Sequence, residues 1–199
     1  MNTRPFQPLH APRTTRRGWL ALCLTLLFWT SSAACAAPAV SHNLESQIKA
    51  AFLYKFCAYV DWPGQAFERP DSPFVIGVID SDAFADILEQ TTAGRNVNGH
   101  PVEVRRLKRG ASLAGVQIAF VAGPEAVALT NTVASGKGQS VLIVTEAERG
   151  LASGSMINFV LDQDKVRFDI APTSAEQNNL KISSRLLNVA RKVVVGRSS

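Results

Sequence analysis

The sequence predicts an α/β domain: a three-layer sandwich built on a mixed, mainly parallel sheet, with one β-hairpin toward the C-terminus. Three observations predict it. Short apolar runs rich in β-branched residues recur at Phe74–Ile79, Val116–Ala122 and Val141–Val144, with an alternating run at Pro101–Leu107. Continuous runs of this length suit strands buried on both faces. Stretches of helical periodicity stand before and between them. Two further runs, Met156–Leu161 and Val166–Ile170, flank Asp162-Gln163-Asp164-Lys165 at hairpin spacing. Strands alternating with helices imply a parallel core sheet covered on both faces, a Rossmann-like arrangement.

Residues 43–61 give the clearest helix signal. Leu44, Ile48, Phe52, Phe56 and Val60 recur every fourth position, and Ala51 and Tyr59 widen the stripe. Ser41 or Asn43 suits the N-cap. Pro63 is expected to end the helix, because a residue before proline is pushed out of helical geometry. After the first strand, Asp80-Ser81-Asp82 supplies a cap for a helix carrying Phe84, Ile87, Leu88 and Thr91, which Gly94 stops. Asn98-Gly99 marks a turn into the alternating strand. Pro124-Glu125 opens a helix with Ala126, Val127, Leu129 and Val133 on its apolar side, broken at Gly136-Lys137-Gly138. Residues 172–195 read as helical in two pieces. Ser183 caps the second piece, its apolar face being Leu186, Leu187, Ala190, Val193 and Val194.

The formal charge of +5 on 199 residues hints at a polyanionic partner until the charges are placed. Arg4, Arg13, Arg16 and Arg17 all lie in residues 1–36, which contain no acid; without them 17 basic residues face 16 acidic ones. Nucleic acid is therefore not an expected partner. Residues 1–36 read as a cleaved signal peptide: a basic start, the 11-residue apolar run Trp19–Trp29, then small residues up to the cut at Ala36 or Ala37. The apolar run is shorter than the roughly 20 residues that cross a bilayer. Arg16-Arg17 also fits a twin-arginine signal, and Cys35 a lipidation site, but Ser32 stands where a lipoprotein box expects a large aliphatic residue. Residues 37–199 then form one exported, periplasmic domain. Cys23 and Cys35 leave with the leader, so the lone Cys57 cannot make an internal disulfide.

The mature chain offers little reactive chemistry. His42 and His100 have no companion at metal-ligand spacing. Cys57 sits within the helical pattern as a core thiol with no base beside it. Gly136–Ser140 imitates a phosphate loop but lies between a helix and a strand, the reverse of the required order. Asp162 and Asp164 are too few oxygens for calcium. No catalytic residue, metal or cofactor is expected, and the chain is not read as an enzyme. Three features remain as binding candidates. Arg105, Arg106, Lys108 and Arg109 form the one dense charge run, either a solvated strand end or a patch for an acidic partner. Trp62 either packs at the helix end or anchors a partner. Asp80, Ser81 and Asp82 lie at the carboxyl edge of the sheet, where open α/β sheets take ligands.

Several segments carry a resemblance. Ile48–Pro63 (IKAAFLYKFCAYVDWP), Val97–Val102 (VNGHPV), Ser155–Val160 (SMINFV), Val166–Ile170 (VRFDI) and Leu180–Ala190 (LKISSRLLNVA) together resemble the YfiR-like family of periplasmic proteins, in order and across the mature domain. The resemblance implies a repressor that binds the periplasmic domain of an inner-membrane diguanylate cyclase or a sensor kinase. Repression would lower cyclic di-GMP signalling and with it biofilm formation. An OmpA-like lipoprotein would relieve repression by sequestration, and homodimers are implied. Some members carry two disulfides and respond to redox state, which a single cysteine cannot reproduce. The alternative without a cyclase partner is a periplasmic small-ligand sensor.

Overall fold

The computed structural model describes residues 37–123 and 126–196. The chain divides into two compact units, Met1–Ala39 and Val40–Ser199, the second of which carries the fold. The expected leader, with Ala36, Cys23 and Cys35, lies outside the described residues, as do Pro124 and Glu125. Ala37 is the first residue of helix α1.

Helix α1 spans Ala37–Tyr59. It runs through Ser41 and Asn43, which therefore do not cap it. It stops before Pro63 acts, because Val60–Asp61 (β1) leaves the helix to pair antiparallel with Lys181–Ile182 (β9). The inward face also differs from the predicted stripe. Ala50, Leu53, Phe56, Cys57 and Val60 are buried, whereas Leu44 (57%), Ile48 (36%) and Tyr59 (37%) are exposed. A repeat of four drifts about 40° per step around a helix of 3.6 residues per turn. The stripe therefore crosses from solvent at its N-terminal end to core at Phe56 and Val60.

The main sheet has eight strands in the order β10-β8-β7-β6-β5-β2-β4-β3. These are Asn96–Val97 (β3), His100–Leu107 (β4), Ile118–Val121 (β5), Leu142–Thr145 (β6), Ile157–Asp162 (β7), Lys165–Ile170 (β8) and Lys192–Val193 (β10), around Phe74–Ile79 (β2), every residue of which is buried. β2 pairs in parallel with β4 and β5, β5 with β6, and β6 with β7. The β7–β8 hairpin and the short β3–β4 pair are antiparallel. Asn98 and Gly99 both take positive φ, 51° and 91°, in the tight β3–β4 turn. That conformation suits Asn-Gly hairpins.

The chain winds outward in two directions from β2. Helix α2, Asp82–Thr92, carries it to β4; helix α3, Ala126–Gly136, carries it from β5 to β6. An aromatic seam joins α1 and α2 to one face. Phe84 meets Phe120 at 4.5 Å between ring centroids, Phe120 meets Phe159 at 6.1 Å, and Phe56 stacks on Phe159 at 5.8 Å and edges onto Phe168 at 5.2 Å. α3 covers the other face, with Gly136 packed against Ile143. The expected three-layer sandwich with a mixed, mainly parallel sheet and a C-terminal hairpin is what forms.

The C-terminal stretch departs from the helical expectation. It holds two short helices, Pro172–Glu176 (α4) and Ser184–Val189 (α5), with β9 between them and β10 after them. Ser183 caps α5, accepting from the Leu186 N–H. Val193 is in a strand rather than on a helix face because β10 extends the sheet in parallel beside β8. Arg191 stands between α5 and β10, and its guanidinium grips both oxygens of Asp169.

Candidate interaction surface

α1 is apolar on two sides. One side fills the core. On the other, Leu44, Ile48, Phe52, Lys55 and Tyr59 fall within about 80° of arc at 100° per residue, and among these only Phe52 reaches inward, edging onto Phe168 at 5.2 Å. A helix apolar all round is normally buried, so this outer stripe is surface without a partner within the described fold. It continues onto α5. A groove of 320 Å³ runs between the helices, lined by Phe52, Lys55, Tyr59, Arg185, Leu186 and Val189. Val189 is 59% exposed. The groove is an apolar strip bordered by two cations, Lys55 and Arg185.

The basic run lies elsewhere, at the end of β4. Arg106 reaches across α2 to Asp82, Asp86 and Glu89. Arg109 donates to Asp80 Oδ2 at 2.9 Å. Arg105 donates to the Ala114 carbonyl at 3.3 Å and stands 3.9 Å from Glu103. Lys108 is exposed. The structure thus brings two separate candidates together, since the run and the Asp80–Asp82 edge share ion pairs. Ser81 caps α2 by accepting from the Phe84 N–H. Surface ion pairs of this kind contribute little stability, but they neutralise much of the charge that the run alone suggests.

Trp62 is half-buried. Its Nε1–H donates to the Gln117 carbonyl at 3.3 Å, and its ring meets Phe74 edge-on at 4.9 Å. Gln117, unremarked in sequence, is buried and ties this corner together. Its Oε1 accepts from the Val75 N–H at 2.7 Å and its Nε2 donates to the Ala66 carbonyl at 2.6 Å. His100, which has no metal-ligand companion, is half-buried because its ring stacks on Phe67 at 4.0 Å, with Nδ1 2.7 Å from the Ser72 carbonyl. Both interactions connect residues remote in sequence, so no local pattern announces them.

At the carboxyl edge of β5 and β6 the ammonium of Lys49 sits between Glu45 and Glu146, while Glu146 also accepts from the Gly123 N–H at 2.7 Å. Burial pulls the Lys49 pKa down, but the bonds to Glu146 and Glu45 outweigh it and leave the pKa raised. α1 therefore occupies, with an internal ion pair, part of the edge where α/β sheets commonly take ligands. Cys57 is fully buried, its Sγ donating to the Leu53 carbonyl at 3.4 Å, and burial pushes its thiol far above the ordinary range. Among the described residues no group of three or more His, Cys, Asp or Glu is placed to hold a metal ion. No described helix is long and apolar enough to cross a membrane.

Fold and surface define a class: a doubly wound α/β domain that presents an apolar helix face. The particular family follows from comparison. The pattern that defines the YfiR/HmsC-like family matches residues 46–191, and the chain belongs to that family. The match takes in the second half of α1, the whole sheet up to β8, and α5. The family is one of periplasmic regulators of cyclic di-GMP signalling, regulatory rather than catalytic. A search of curated proteins finds no match.

Proposed function

We propose that this protein is a periplasmic repressor that binds the periplasmic domain of an inner-membrane diguanylate cyclase, or of a sensor kinase, and so lowers the cyclic di-GMP signal. The observation that carries the proposal is the outer stripe of α1, joined to the groove against α5. Exposed apolar surface of this extent, on a helix whose other side already fills the core, favours a protein partner. Exported residues 37–199, released by cleavage beside Ala36 or Ala37, put that surface in the same compartment as the sensor domain. Repression is then a population shift: the protein binds the cyclase more tightly in its inactive conformation and draws it there. An OmpA-like lipoprotein that competes for the repressor would release the enzyme. Trp62 and the Arg105–Arg109 run are secondary candidates for the contact.

The test pairs Ile48→Asp with Val189→Asp. Both positions are exposed, so folding stability should move by less than about 1 kcal/mol. A carboxylate buried without a partner at the contact should weaken binding by about 3 kcal/mol or more, at least ~100-fold. Copurification from membranes should recover a cyclase or sensor with the wild-type protein and lose it with the variant. Cellular cyclic di-GMP should rise in the variant as it does on deletion. Recovery of no such partner, together with unchanged cyclic di-GMP on deletion, rejects the proposal.

A further inference from the structure

The groove between α1 and α5 constrains what can fill it by its backbone and by its charge. Its two walls are joined at one corner. The Ser183 N–H donates to the Tyr59 carbonyl at 3.0 Å, and Val60–Asp61 pairs with Lys181–Ile182, so the end of α1 and the start of α5 are tied through backbone. The groove is thus set before anything binds, which lowers the ordering cost of binding. The α1 wall bonds internally along its length and offers no row of free N–H and C=O groups. An extended segment laid against it would leave its own backbone groups unpaired over apolar side chains, at a cost for each group. A helix avoids that cost because its backbone is satisfied internally. From Leu44 to Tyr59 the stripe is about 22 Å long at 1.5 Å per residue, about four helical turns. Charge on this face has one sign. Lys55 stands on α1 and Arg185 on α5, both exposed and neither in an ion pair among the described residues, while the other residues of stripe and groove are uncharged. A second copy bound two-fold through this face would set cation against cation, and like charges oppose that contact. A flat anionic lipid surface would leave the concave groove unfilled, and two cations fall short of the Lys/Arg-rich polar face of membrane-surface helices.

We propose that this groove receives an amphipathic helix of the protein partner, apolar on one face and carrying carboxylates beside that face. The inference rests on the reading of this surface as the one that binds the partner, and adds the chemistry of the segment that docks. The apolar face of the helix fills the strip between α1 and α5, in the helix-in-groove manner. Its carboxylates meet Lys55 on one wall and Arg185 on the other. Such exposed pairs add modest affinity, yet they choose between partners, because a basic helix of the same shape meets repulsion at both walls.

The test is fluorescence anisotropy of the purified protein with two labelled peptides of about four helical turns. Both carry Leu at helical spacing; one has Glu beside that stripe and the other Lys. The Glu peptide should bind saturably and gain helical circular dichroism on binding. The Lys peptide should bind at least ~10-fold more weakly, a difference of about 1.4 kcal/mol. Lys55→Glu combined with Arg185→Glu, both at exposed positions, should reverse the preference, and Val189→Asp should weaken both peptides. No saturable binding of the Glu peptide, equal binding of the two, or a preference untouched by the charge reversal overturns the proposal. A dimer in sedimentation that Val189→Asp dissolves would give the face to a second copy and overturn it too. Pelleting with phosphatidylglycerol vesicles that Ile48→Asp abolishes would do the same in favour of lipid. The peptide measurement involves no cyclase, so its failure and that of the repressor reading, which copurification decides, are separately visible.

Discussion

Leu44 and Leu53 lie on the same helix and test which of its faces supports the fold. Periodicity in the sequence places Leu44 on the core stripe and leaves Leu53 off it. In the structure Leu53 is fully buried and Leu44 is 57% exposed. Replacing each by Ala holds chemistry and helix propensity nearly constant, since Leu and Ala both rank high as helix formers. Leu53→Ala removes three buried carbons at about 0.8 kcal/mol each. A residual-cavity contribution raises the expected loss to about 3–4 kcal/mol, inside the 2–5 kcal/mol range typical of such truncations. Leu44→Ala should cost less than about 0.5–1 kcal/mol. Urea denaturation followed by circular dichroism reads the difference. With a slope near 2 kcal/mol per molar urea, the Leu53→Ala midpoint should fall by about 1.5–2 M while Leu44→Ala stays within ~0.5 M of wild type. Equal shifts, or a larger one for Leu44→Ala, would refute the assignment of faces and with it the interaction surface.

Three further outcomes follow from other contacts. Gln117→Leu strands the buried Val75 N–H and breaks the bond to the Ala66 carbonyl. It should cost about 2–4 kcal/mol in the same urea experiment; a loss below about 1 kcal/mol would show that the two bonds are replaced. Lys49 has its folded pKa raised above the ordinary 10.5. Its ion pairs therefore stabilise fully below that pH and lose their effect as pH climbs through the raised value. The stability gap between wild type and Lys49→Met should narrow above about pH 10.5; a gap that is constant or widens there contradicts the assignment. The Cys57 thiol, buried and held protonated, should react with a disulfide reagent such as DTNB only at the rate of global unfolding. Rapid labelling in the native state would place it elsewhere.

The sequence by itself determined the central strands of the sheet. Runs such as Phe74–Ile79 and Val141–Val144 admit one structure at that length, because a strand covered on both faces is apolar throughout. The hairpin turns were legible through Asn98-Gly99 and the Asp162–Lys165 spacing, and the caps at Ser81 and Ser183 through local hydrogen-bonding chemistry. The family resemblance was legible in five segments, for the same reason that the fold was: they are the α1, β7, β8 and α5 stretches and the β3–β4 turn that build it. Tertiary structure alone decided the rest. α1 has apolar residues on two sides, and a pattern within one helix cannot say which side the sheet will cover. The presence of Ala50, Leu53 and Cys57 beside the four-residue stripe was the one available sign that there were two. Val60–Asp61 and Lys192–Val193 became strands only because partners distant in the chain, β9 and β8, stood beside them. The Arg105–Arg109 run looked free because its counter-charges, Asp80, Asp82, Asp86 and Glu89, are brought to it by the β2–α2–β4 crossover. Gln117 carries no local signal; what it does depends on which groups the sheet brings within about 3 Å, the range of a hydrogen bond.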